Sequence, residues 1–126
     1  MMTMVCFQSA GAAYCLPVEA TRAVRTAAGI RSLPGTASDI VGILPGHPPL
    51  TVISVLGGGG TYVLVVETGG TTFGLLVDAV TGLRRIAVAD IRPAATGPDV
   101  ALISGSIDTD GELMLVADPD AMAARL

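Results

Sequence analysis

The sequence predicts an all-β fold, and three observations carry that prediction. Short aliphatic runs recur along the whole chain, glycine-rich or Asp-Gly turn signals separate them, and helical periodicity is nearly absent. The clearest unit is 62–80, YVLVVETGGTTFGLLVDAV, where two apolar runs meet across Gly69-Gly70. A Gly-Gly link suits a primed turn, whose two central residues need positive φ, and it sets Thr68 opposite Thr71 and Val66 opposite Phe73.

The remaining elements follow in chain order. Val5 and Phe7 alternate with small or polar neighbours, as do Tyr14, Leu16 and Val18, so a turn at Ala10-Gly11 makes an opening hairpin with Phe7 opposite Tyr14 and Cys6 opposite Cys15. Residues 19–26 have some helical propensity but no stripe at period 3.6, and are read as strand through Val24. Gly29, Pro34 and Gly35 punctuate the chain, and Ser38-Asp39 can start one helical turn before a strand at Ile40–Leu44. Prolines 45, 48 and 49 remove ladder donors, so the chain turns before a strand at Leu50–Leu56, and Gly57–Gly60 is a flexible link. After the central hairpin and a turn before Thr81-Gly82 comes a run from Leu83 to Val88, interrupted by Arg84 and Arg85. Asp90-Ile91-Arg92-Pro93 leads through an Ala, Thr, Gly and Pro loop to Val100–Gly105. A last hairpin turns at Asp110-Gly111 and returns through Leu113–Ala117, after which Asp118 caps a short C-terminal helix with Pro119 at its first position. Nine or ten short strands close most economically as a barrel or pair of barrels, because closure removes exposed sheet edges. No internal repeat is visible, and the 126 residues are expected to form one domain.

Composition narrows the function. Apolar residues make up 51% of the chain but aromatics only 3%, so the core is aliphatic, and the 14% of charged residues leaves an apolar surface suited to burial against another protein. A net charge of -4, no lysine and seven scattered arginines argue against a phosphate-binding face, and four aromatic residues give no stacking platform, so nucleic acid is not expected as a partner. The N-terminus lacks the cationic region of a signal peptide, and no run approaches the roughly 18 apolar residues of a membrane helix, so the expectation is a cytoplasmic chain without direct membrane insertion.

Chemistry is hard to find. Gly57–Gly60 has no following lysine to make a phosphate loop, and the Asp108, Asp110, Gly111 cluster lacks the spacing of a calcium loop. His47 sits between Gly46 and Pro48 with no partner at a motif spacing, and Ser104 and Ser106 flank Gly105 in the reverse of a nucleophile elbow. Cys6 and Cys15 are read as free thiols rather than a disulfide, and two cysteines with one histidine give no metal site. Neither a catalytic residue nor a cofactor is expected. Asp78, a carboxylate inside an apolar run, is either a structural acid capping a turn before Thr81-Gly82 or a partner contact.

The order of these features resembles the CheW-like domain, the adaptor module of bacterial chemotaxis arrays. The resemblance rests on Phe7 with Tyr14-Cys15-Leu16-Pro17-Val18 and Val24, on Leu33-Pro34 with Val41-Gly42-Ile43, and on Gly74-Leu75-Leu76-Val77-Asp78-Ala79-Val80. It continues through Asp90-Ile91-Arg92-Pro93 to Ile103-Ser104-Gly105 with Gly111, Leu113 and Asp118, spanning nearly the whole chain. The resemblance implies two intertwined five-stranded, SH3-like β-barrels with a hydrophobic groove between them. It also implies an adaptor, not an enzyme, that links a histidine kinase regulatory domain to the cytoplasmic helical tip of a chemoreceptor. The partner-binding residues it points to are Val41, Gly42, Ile43, Leu75, Val77 and Asp78, with burial in the barrel cores as the alternative for Val41, Ile43, Leu75 and Val77. Alternatives are a divergent member that competes with or modulates coupling, and a β-barrel that binds a small apolar ligand. Leu44-Pro45-Gly46-His47-Pro48-Pro49 departs from the family, which carries Asn-Leu-Arg-Gly before a strand with an aspartate. Arginine and aspartate are both missing here, and the segment is one residue shorter. Thr21 and Ala23 likewise replace a bulkier aliphatic residue and an acid.

Overall fold

The computed structural model describes residues 1–33, 39–57, 60–93 and 102–126. Among them run eleven strands and one helix: β1 (Met2–Ser9), β2 (Ala12–Pro17), β3 (Thr21–Thr26), β4 (Ile40–Leu44), β5 (Leu50–Ile53), β6 (Tyr62–Thr68), β7 (Thr71–Val77), β8 (Ala79–Ile86), β9 (Arg92–Pro93), β10 (Ile103–Thr109), β11 (Glu112–Ala117) and α1 (Pro119–Ala123). Two 3-10 turns, Val18–Ala20 and Val88–Asp90, lead into β3 and β9. Ser38, Val100 and Ala101 of the expected elements lie outside the described residues; Asp39 stands in a turn before β4.

The strands form two sheets. In the first the order is β8-β1-β2-β11-β10-β9, and in the second β3-β6-β7-β5-β4. The chain therefore starts one sheet, builds the whole of the other, and returns to finish the first; we call them the terminal and central barrels. Each sheet is curled so that its first strand leads into its last. In the central barrel, Arg31, just beyond β3, exchanges two backbone hydrogen bonds of 2.8 Å with Ile43 of β4. In the terminal barrel β8 continues through the Val88–Asp90 turn into β9, which pairs with β10. Each barrel thus consists of five bent runs, as the resemblance implied.

The two barrels repeat one design. In each, a hairpin (β1-β2 or β6-β7) pairs antiparallel with an end strand (β8 or β3) and parallel with the return strand of a second hairpin (β11 or β5). The hairpins β1-β2, β6-β7 and β10-β11 turn at Ala10-Gly11, Gly69-Gly70 and Asp110-Gly111, all six residues having positive φ, as a primed turn requires. The predicted registers, Phe7 with Tyr14 and Val66 with Phe73, are present, and the Phe7 and Tyr14 rings stack at 5.6 Å. A bulge interrupts each second hairpin, beside Gly42 in one barrel and Gly105 in the other. At both the closing strand passes so near that a side chain has no room. A Cβ on Gly42 would lie 2.1 Å from the Arg31 carbonyl oxygen, and one on Gly105 2.6 Å from that of Arg92.

Several expectations need correction. The central hairpin ends at Val77 rather than Val80: the chain leaves the sheet at Asp78, and Ala79 opens β8 in the other barrel. The expected turn before Thr81-Gly82 is the bend at Asp78, and β8 then runs on through a bulge, where Cys6 pairs with Gly82 and Phe7 with Val80, leaving Thr81 unmatched. The crossing explains the misplaced end of the hairpin, because a continuous apolar run hides a change of sheet. The strand expected over Leu50–Leu56 stops at Ile53, where the Ser54 N–H turns to the Asp39 carbonyl.

Three clusters form the core. A shared one joins the barrels, with Val5, Phe7, Tyr14 and Leu16 on one side and Ile53, Leu64, Val66, Phe73, Leu75 and Val77 on the other. Asp78 lies at the surface where the chain crosses between barrels, not in the interior as its apolar surroundings suggested. Met122 of α1 is fully buried in the shared core, and α1 is capped by the Asp118 carboxylate, which accepts from the N–H groups of Asp120 and Ala121. The central barrel is filled by Leu44, Leu50, Val52, Val63 and Leu76, the terminal one by Met4, Cys6, Cys15, Ile86, Ile107, Met114 and Val116. Burial pushes the Cys15 thiol from 9.0 up to about 12, and raises Cys6 as well, with the Arg84 charge partly opposing both.

Two predictions follow from closure and core. Gly42→Ala or Gly105→Ala lowers unfolding free energy by about 3 kcal/mol, because backbone rather than a movable side chain blocks the methyl group. Gly46→Ala, whose nearest atom would be 3.4 Å away, leaves the urea midpoint nearly unchanged. The second concerns alkali. The unfolded Cys15 thiol ionises near 9 and the folded one only near 12, so its contribution is complete below pH 9 and lost as pH rises to about 12. The slope is about 1.4 kcal/mol per pH unit over that window. Urea unfolding between pH 9 and pH 11 shows at least this slope, and Cys15→Ala lowers it by the share of Cys15, leaving that of Cys6.

Candidate protein-binding groove

β3 and β8 are the end strands of their sheets and frame a cleft between the barrels. The cleft has a volume of ≈ 360 Å³; Val5, Val18, Leu64 and Val80 line it together with Thr21, Arg22, Ala23 and Val24 of β3 and Gly82 and Leu83 of β8. A second hollow of ≈ 310 Å³, lined by Val24, Tyr62, Ala79 and Val80, shares Val24 and Val80 with it and extends the apolar path. Val24 is 48% exposed and Leu83 68%, although both are aliphatic residues in the middle of strands. They occupy equivalent places in the two barrels. Val24 pairs with Leu64 one step beyond the β3 bulge, and Leu83 pairs with Val5 one step beyond the β8 bulge.

The two end strands carry arginines in an otherwise acidic chain, and Arg22 lines the cleft. Arg22 and Arg25 stand on β3 and Arg84 and Arg85 on β8, all exposed. Arg22 pairs with Glu67 at 3.2 Å, and the hydrogen bond from its guanidinium holds the Glu67 carboxyl below its usual range. Arg84 donates to the Thr109 hydroxyl at 2.9 Å. The seven arginines that look scattered along the sequence thus place four members on two neighbouring strands.

None of the six residues expected from the sequence to bind a partner lines this cleft. Leu75 and Val77 are 0% exposed in the shared core, so in this fold they lie out of reach of a docking helix. Gly42 is buried where the central barrel closes, while Val41 and Ile43 are half-buried beside it. Asp78 accepts hydrogen bonds from the Ala10 N–H at 2.9 Å and the Gly60 N–H at 3.1 Å, and its own N–H donates to Gln8 at 2.9 Å. It therefore ties two loops to the point where the chain changes barrel. The lining residues Val24, Val80 and Leu83 were missed. The available signal was the mixture of aliphatic and arginine side chains in 22–25 and 83–85, which fits a strand exposing apolar groups outward.

Two β-barrels joined by a shared core and parted at one margin by an apolar cleft make up the architecture of the described residues. The chain belongs to the CheW-like domain family, whose model matches residues 48–126. The fold is similar to the scaffolding protein TtCheW from Thermoanaerobacter tengcongensis, with a TM-score of 0.84 and 25% identity over 93% of this chain and 84% of that one. No curated protein matches the chain. Among the described residues, no helix is long and apolar enough to cross a membrane.

The role of Asp78 can be tested directly. Asp78→Ala removes the acceptor for two loop N–H groups and lowers unfolding free energy by about 1–2 kcal/mol, whereas Asp78→Asn retains part of that. Hydrogen exchange at Ala10 and Gly60 rises in the alanine variant.

Proposed function

We propose that this chain is a chemotaxis coupling adaptor that binds the regulatory domain of a histidine kinase and the cytoplasmic helical tip of a chemoreceptor, working through contact geometry and not catalysis. The observation that carries the reading is the cleft between β3 and β8, lined mainly by aliphatic side chains. An amphipathic helix presenting aliphatic residues at i, i+3 or i+4, and i+7 fits such a cleft, with Val24 and Leu83 gripping its two flanks. Each of these side chains contributes about 1–2 kcal/mol on burial, giving a modest affinity that many adaptors in an array multiply by avidity.

The residues first read from the sequence keep a place in this proposal. Leu75 and Val77 support the floor from beneath through the shared core, while Val41, Ile43 and Asp78 retain accessible surface for a second contact. The family's missing arginine has a substitute near its site. Arg25 directs its Nη1 to within 3.8 Å of where a Cβ on Gly46 would stand, in the loop that departs from the family pattern.

The test is co-sedimentation with a kinase regulatory domain and with a chemoreceptor tip fragment. Val24→Glu and Leu83→Glu each weaken binding of the receptor fragment at least tenfold while the protein stays folded, and kinase binding survives. Absence of binding by the unaltered chain at tens of micromolar contradicts the proposal.

A further inference from the structure

The terminal barrel holds a sulfur cluster that its counterpart lacks. Cys6 and Cys15 stand directly opposite each other on β1 and β2, both buried, and the Cys6 Sγ lies 3.9 Å from the Met114 Sδ on β11. In a two-residue hairpin the pairs alternate outward from the hydrogen-bonded pair at the turn, here Ser9 with Ala12, which makes Cys6 and Cys15 a non-hydrogen-bonded pair with closely approaching side chains. At the equivalent positions the central barrel has Val65, Gly74 and Leu50. A barrel of this topology therefore closes without any sulfur, and packing alone does not require three.

The cluster is also reachable. Cys6 and Met114 line a cavity of ≈ 300 Å³ at the barrel mouth whose charged lining groups are Arg84 and Glu112. We propose that Cys6, Cys15 and Met114 form a binding site for a soft monovalent cation of the cuprous type, entering through this cavity.

The chemistry of the donors selects the ion. Two thiolates and a thioether suit a soft metal, whereas zinc prefers four nitrogen, oxygen or thiolate ligands and gains little from methionine. Metal–sulfur bonds of about 2.3 Å in a trigonal plane hold the sulfurs about 4 Å apart, close to the Cys6–Met114 separation. On binding, each thiol loses its proton and both protons leave to solvent, so one cuprous ion and two thiolates carry a net charge of minus one. Arg84, whose charge acts on both thiols, offsets that charge. Glu112, from β11, opposes the offset at the cavity mouth, and the affinity rises by about 100-fold per pH unit while two protons are displaced.

The experiment uses the reduced full-length chain, without oxygen, titrated with cuprous ion supplied from a weak coloured chelator. One equivalent is taken up, an ultraviolet thiolate-to-copper charge-transfer band appears, and the Cys6 thiol, which lines the cavity, becomes resistant to a thiol reagent. Cys6→Ser and Cys15→Ser each reduce affinity at least 100-fold, and Met114→Leu, which keeps the core apolar, reduces it at least tenfold with an unchanged circular dichroism spectrum. No uptake by the folded chain overturns the proposal, as does uptake that Met114→Leu leaves unaltered.

Discussion

The structure depends on one apolar core shared by two barrels that neither could complete alone. Phe7, Tyr14 and Leu16 leave one sheet and Leu64, Phe73, Leu75 and Val77 leave the other to meet in it, and Met122 packs among them. Burial of these side chains stabilises by roughly 1.5–3 kcal/mol each, so separating the barrels would cost far more than a small domain has to spare. The same constraint makes the cleft. The sheets are pressed together along β1, β2, β6 and β7, and their end strands β3 and β8 stand apart at the margin of the contact, where Val24 and Leu83 remain in solvent. The groove is the edge of the core left uncovered.

Much of this was legible in the sequence because local rules decided it. The Gly69-Gly70 and Asp110-Gly111 dipeptides fixed two hairpins, alternation fixed the first, and Asp118-Pro119 marked the start of the helix. What was hidden is long-range. The run from Leu75 to Val80 reads as one strand, yet it belongs to two barrels, and only the tertiary fold shows the break at Asp78. The duplication of the barrels was equally invisible. What repeats is backbone geometry, a bulge with a glycine under the closing strand at Gly42 and Gly105, while the side chains filling each interior differ. Leu75 and Val77 illustrate the limit of motif reasoning: an aliphatic residue in a family motif serves the core or the partner, and burial alone separates the two.

Divergence and conservation of architecture are separable in this chain. The loop Pro45–Pro49 departs from the family pattern and is exposed throughout, whereas the bulges, closing bridges and shared core that define the barrels are all present. A surface loop tolerates such change because few buried contacts depend on it. Of the arginines on the two end strands, Arg22 lines the cleft whatever the loop carries.

The central claim is that a helix is held between β3 and β8. Nuclear magnetic resonance of isotopically labelled protein, titrated with a receptor-tip helix, tests it most directly. The account predicts that the largest shifts centre on the amide and methyl signals of Val24, Tyr62, Val80 and Leu83. Shifts confined to Val41–Pro49, with those four unmoved, would contradict it.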